Sequence, residues 1–205
     1  MPLSKSARRR ARSGKGLLPP NPKQWNHEHN ALDLREELGI EPGEFLSHAT
    51  AFALLENVVL LPHGSIWAAE KYLSHFRHGR SAAWSGMSLR LPSGIEYVVY
   101  NDSHSLNRVR ATLLEEYFHI RLDHPRSILR LHSDDGRGRS HDPRVEQEAY
   151  CSGAAALVPY CGLREMLDSP QTAAEIADCY QVSRDLVVFR AKVTRLYSKL
   201  KRSDQ

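Results

Sequence analysis

Along residues 105–124 the apolar positions Leu106, Val109, Leu113, Tyr117 and Ile120 recur every three or four places, with no Gly or Pro between them. That spacing predicts one amphipathic helix with a single buried stripe. Further helices are predicted over 25–38, closed by Gly39 and Pro42, over 45–56 and over 66–76. Val58-Val59-Leu60-Leu61 reads as a buried strand stopped by Pro62. Residues 79–83 read as a loop. Residues 84–91 and 95–100 read as two strands of a hairpin turning at Pro92-Ser93-Gly94.

Asn101-Asp102-Ser103 breaks the second hairpin strand, and Pro125 stops the central helix. Residues 133–143 are a polar loop. The helix predicted over 144–157 carries Ser152-Gly153-Ala154-Ala155-Ala156, a run of small residues that lets another helix approach closely. Gly153 costs about 1 kcal/mol of helix propensity against Ala, which close packing can offset. Pro159 ends this helix. A short helix over 163–167 and two longer ones over 172–180 and 183–200 complete the chain.

A chain of 205 residues with 41% hydrophobic content forms one domain with a proper core. No apolar run is long enough to span a membrane, and no apolar segment follows the N-terminal arginines. Cys151, Cys161 and Cys179 form no C-x-x-C, which fits a reducing, cytoplasmic setting. The net charge of +4 is unevenly spread: residues 1–24 carry seven basic side chains and no acid, leaving 21 basic against 24 acidic residues beyond them. This Arg-, Ser-, Gly- and Pro-rich stretch is expected to be a disordered basic tail, with nucleic acid or an acidic protein as a possible contact.

The chemistry sits inside the central helix. Glu115 and His119 are four apart and share a helix face. Glu116 lies one position round. This is the spacing of the zincin motif H-E-x-x-H with Glu115 at the first His position. The 144–157 helix adds Glu146 and Glu148, two apart, so only one can face the central helix. Glu148, one turn from Ser152 and near Ala155, is expected to be the inward one. His124, five after His119, lies about 140° round a continued helix and is expected to cap its end instead.

Taken together these residues resemble the ImmA/IrrE family of zinc metallo-endopeptidases, over about residues 32–200. The resemblance rests on Glu115-Glu116-x-x-His119, on Glu148-Ala149 followed by Leu157-Val158-Pro159, and on Val98-Val99-Tyr100-Asn101 leading to Arg110-Ala111-Thr112-Leu113. It implies an α+β, zincin-like domain: a small mixed or antiparallel sheet beside an active-site helix pair, with closing helices over 170–205. It also implies a metal held by Glu115, His119 and Glu148, with Glu116 as the general base that takes a proton from the attacking water and returns it to the leaving amine.

Relatives of this kind commonly cleave repressors, so the implied protein partner is a bacterial or phage transcription regulator. One imidazole and two carboxylates cancel the formal charge of a divalent ion, unlike two imidazoles and one carboxylate. Such an oxygen-rich set suits Mn or Fe(II) relatively better beside Zn. The alternative is a degenerate pseudo-peptidase that binds a regulator or DNA. Residues 174–183 resemble the opening of a helix-turn-helix, with Arg184, Arg190 and Lys192 available for phosphate. The competing reading makes these helices part of the peptidase domain, with Leu186, Val187, Phe189 and Val193 in its core.

Overall fold

The computed structural model describes residues 16–66, 84–125, 128–129, 139–140 and 142–201. Helix α1 (Trp25–Leu38) ends where the pattern places its end: Gly39 takes φ 65°, and the Ile40 N–H returns to the Arg35 carbonyl at 2.9 Å. The helix expected over 45–56 is shorter, α2 spanning only His48–Phe52. The chain then tightens, with Leu54 and Leu55 N–H groups returning to Ala51 and Phe52, and Asn57 at φ 58° turns it into strand β1 (Val58–Pro62). The turn needed to enter the sheet overrides the helical pattern.

Strands β2 (Gly86–Arg90) and β3 (Glu96–Tyr100) form the expected hairpin, with Gly94 at φ 84° in the turn. The sheet order is β1-β3-β2, and β1 runs parallel to β3, so the sheet is mixed. As an edge strand β1 is half exposed rather than buried, and Pro62 closes it where a missing N–H is tolerated. Ile128–Leu129 (β4) and Arg139–Ser140 (β5) pair antiparallel. The expectations over 66–76 and 79–83, and most of the 133–143 loop, lie outside the described residues.

Helix α3 (Leu106–Arg121) starts at Ser105, whose hydroxyl accepts the Arg108 N–H. Helix α4 (Pro143–Leu157) starts at Asp142, whose carboxylate accepts the Arg144 N–H at 2.9 Å. Helices α5 (Tyr160–Met166), α6 (Ala173–Tyr180) and α7 (Arg184–Val193) follow. The last is shorter than the expected 183–200, because Arg195 takes φ 63° and the Leu196 N–H folds back to the Ala191 carbonyl at 2.7 Å.

Helices α3 and α4 are the central pair, with α1 on α4 and the sheet on α3. A Cβ at Gly153 would lie 3.0 Å from the backbone of Leu114 and Glu115, so this glycine sets how closely the pair meets. Leu113, Leu114, Tyr117 and Phe118 of α3 are fully buried in the core. Two buried arginines close the end of α4, where backbone carbonyls have no helical partner. Arg35 Nε donates to the Ala156 carbonyl and Arg190 Nε to the Val158 carbonyl, both at 2.8 Å. Arg190 is ion-paired with Glu28 of α1, whose carboxylate also accepts the Tyr160 N–H at 3.1 Å.

Arg190 is therefore not available to phosphate, contrary to the helix-turn-helix expectation. Leu186 and Val187 are buried, in line with the core reading, whereas Phe189 and Val193 are half-buried. Of the expected tail, residues 16–24 lie against the body. The Asn21 amide donates to the Val193 carbonyl at 3.1 Å, and the Trp25 indole to the Pro19 carbonyl at 2.9 Å. Three prolines stiffen this stretch, which lowers the entropy cost of docking it.

Candidate metal centre

Two faces of α3 carry the chemistry. Glu115 and His119 point toward α4, where Glu146 stands one turn into its helix. One ligand atom from each of Glu115, His119 and Glu146 lies within 4.8 Å of the others, the one such group among the described residues. His119 Nε2 faces Glu146 Oε2 at 3.7 Å. A pair of carboxylates and an imidazole at this spacing can close on a divalent ion with small side-chain shifts.

The electrostatics agree with that geometry. Burial pushes the Glu115 carboxyl up to about 7, and the neighbouring Glu116 and Glu146 carboxylates push it the same way. A carboxyl held among its own kind in low dielectric needs either a proton or a cation.

Glu116 points elsewhere, toward the sheet edge. The Ser88 hydroxyl of β2 donates to Glu116 Oε2. A Cβ at Gly86 would meet the Thr112 methyl at 2.7 Å and Glu116 Oε1 at 3.5 Å, so β2 passes tightly over this carboxylate. Glu116 is thus held between the edge strand and the Glu115–His119–Glu146 group.

A family model described as the IrrE N-terminal-like domain, Peptidase_M78, matches residues 70–192. The chain belongs to that family. Its α+β architecture, a small mixed sheet on the α3–α4 pair, is the zincin-like fold of an IrrE-like metallopeptidase domain. No curated protein matches the chain. No helix among the described residues is long and apolar enough to cross a membrane.

Of the expected site residues, the IrrE-like domain brings Glu115 and His119 together and keeps Glu116 beside them. Glu148 lies outside the group and faces His124, with His124 Nε2 and Glu148 Oε2 3.5 Å apart. The reason is which small residue marks which face. Gly153, two turns after Glu146, touches α3. Ser152, one turn after Glu148, faces α1 instead, where its hydroxyl accepts the Asn30 amide at 3.2 Å and meets His27 Nδ1 at 3.4 Å.

His124 escaped sequence reasoning because the helix was continued through it. The helix ends at Arg121, Asp123 takes φ 52°, and the His124 N–H returns to the His119 carbonyl at 3.0 Å. That reversal brings His124 back edge-on to His119. Asp ahead of His-Pro was the available signal, since Asp tolerates the left-handed conformation. Nothing in the sequence pointed to Ser88.

Proposed function

We propose that this domain is a metal-dependent endopeptidase acting on a bacterial or phage transcription regulator. The observation that carries the reading is the grouping of Glu115, His119 and Glu146 within ligand distance, with Glu116 held beside them by Ser88. Glu146 is the third ligand that the geometry favours, and Glu148 the one that the family resemblance favours.

A divalent ion at this group, Zn with Mn or Fe(II) as competitor, would polarise a peptide carbonyl and acidify a water. The protein's own part in this reading falls to two side chains. Glu116 accepts a proton from the attacking water and passes it to the leaving amine. Ser88 fixes the rotamer of Glu116, so the carboxylate is oriented before substrate arrives. The second reading, a pseudo-peptidase that binds its regulator or DNA without cutting, is supported by Glu115: with its carboxyl pushed up to about 7, the group can stay neutral and metal-free near neutral pH.

The test is cleavage of a peptide library by protein supplied in turn with Zn2+, Mn2+ and Fe2+. Parent protein should cut, Glu116→Gln should not, and the two should melt alike, since an amide cannot accept the proton. Cleavage by Glu116→Gln at the parent rate refutes the mechanism. Absence of both metal uptake and cleavage in the parent favours the binding reading.

A further inference from the structure

The N-terminal stretch that lies against the body begins at a groove. Leu17 lines a cavity of about 310 Å3 at the end of α1, together with Leu32, Ile40 and Pro42. Glu36 and Glu41 belong to the same lining, and both are exposed. Arg35 also borders the groove, but it is fully buried and donates to the carbonyls of Glu41, Glu44, Ala156 and Leu157. Those bonds wrap residues 41–44 around the end of α1. The Tyr180 hydroxyl donates to the Pro42 carbonyl at 3.0 Å and holds the same loop from the other side. The groove therefore has a fixed apolar floor and an acidic rim.

The chain enters this groove from one side. A Cβ at Gly16 would stand 2.4 Å from the Arg164 guanidinium of α5, so the backbone passes directly against that cation. The residues before Gly16 carry six basic side chains, from Lys5 to Lys15, and no acid. Like charges repel, so such a segment is turned away from Arg164 and toward Glu36 and Glu41. Arg12 is four positions before Gly16, and four residues reach at most about 14 Å, so it stays close to the rim.

We propose that residues 5–15 of this chain dock in cis along the acidic rim of the groove, with their arginines on Glu36 and Glu41. The tether at Gly16 makes the contact intramolecular, at an effective concentration in the millimolar range, so ion pairs that are individually weak suffice. The docked segment has a regulatory consequence. The rim and any polyanion compete for the same cations, so nucleic acid or an acidic protein has to displace Glu36 and Glu41 before it engages the basic segment.

The test is zero-length carbodiimide coupling of the dilute full chain, read by mass spectrometry of the single-chain product. At about 10 mM salt, where charges act over roughly 30 Å, Lys5 should become linked to Glu36 or Glu41. At about 1 M salt, where that range shrinks to roughly 3 Å, the link should disappear. A duplex DNA oligonucleotide at low salt should remove it too. Lys5 stands eleven positions before Gly16, so sequence adjacency does not force the link.

Limited trypsin cleavage after Arg12 gives a second reading, with the fold of each protein checked by melting. At low salt the parent should be cut about 3- to 30-fold more slowly than the Glu36→Gln/Glu41→Gln variant, the range that two exposed ion pairs support. Equal cleavage of the two proteins overturns the docking. So does a Lys5 that couples to acids away from the groove as readily as to Glu36 and Glu41. Links formed only between two chains would make the occupant the segment of a second copy, and overturn docking in cis.

Discussion

Stability of the metal-free protein should fall as pH rises from about 4.5 to 7, and Glu115 should be the cause. Its carboxyl is pushed from an ordinary 4.5 up to about 7, first by burial, then by Glu116 and Glu146. Because the folded value is the higher one, the folded state keeps a proton that the unfolded chain releases. The stabilising contribution of protonated Glu115 is thus fully present below about pH 4.5 and is lost as pH climbs through about 7. A tenfold change in proton affinity is worth about 1.4 kcal/mol, so the whole loss approaches roughly 3 kcal/mol.

For a domain of this size that corresponds to a fall of roughly 6–12 °C in melting temperature. The assay is thermal melting from pH 4 to 8 in chelator, for the parent and for Glu115→Gln. Gln mimics the neutral carboxyl, so the variant should lack the Glu115 part of the slope. Saturating Zn2+ should flatten the parent profile, because a bound cation stabilises the ionised carboxylates and adds stability by mass action. Identical pH profiles for parent and Glu115→Gln without metal would refute the clustering of these carboxylates.

Glu115→His restores the two-imidazole, one-carboxylate set and should raise zinc affinity in calorimetry; equal or weaker binding would mean the pocket is shaped around the carboxylate. Gly153→Ala forces a methyl to 3.0 Å from the α3 backbone, so urea unfolding should show a loss of about 1–3 kcal/mol, together with weaker metal binding as Glu115 and Glu146 part. Glu28→Gln leaves the Arg190 guanidinium buried beside a neutral partner, and denaturant unfolding should show a loss of about 3–5 kcal/mol.

What the chain reveals unaided follows the range of the forces involved. Helix α1 and its Gly39 stop, the hairpin at Gly94 and the Ser105 start of α3 are local matters of period, cap and turn, and each was legible. So was the shared face of Glu115 and His119, because four residues of helix suffice to define a face.

The choice between Glu146 and Glu148 was not local. It depended on knowing that Gly153 meets α3 while Ser152 meets α1, and both are simply small residues in the sequence. The reversal at Asp123 hid His124 for a related reason: where a helix stops changes the direction of every side chain after it. Arg190 looked available to phosphate, and only the packed fold shows it closing the end of α4 together with Arg35. The 45–56 stretch misled because its apolar spacing suits a helix while the sheet demanded a turn.

The Glu28–Arg190 pair has a consequence for where this protein can be divided. The stretch recognisable as the family, 70–192, contains both helices that bear the candidate site but begins after α1. Excised at that boundary, it would leave Arg190 charged and without Glu28, and the Ala156 carbonyl without the guanidinium of Arg35. The matched stretch is therefore smaller than the set of helices that these contacts tie together. A transplant of this domain into another polypeptide should therefore be more stable when it carries residues 25–38, although none of them belongs to the Glu115–His119–Glu146 group.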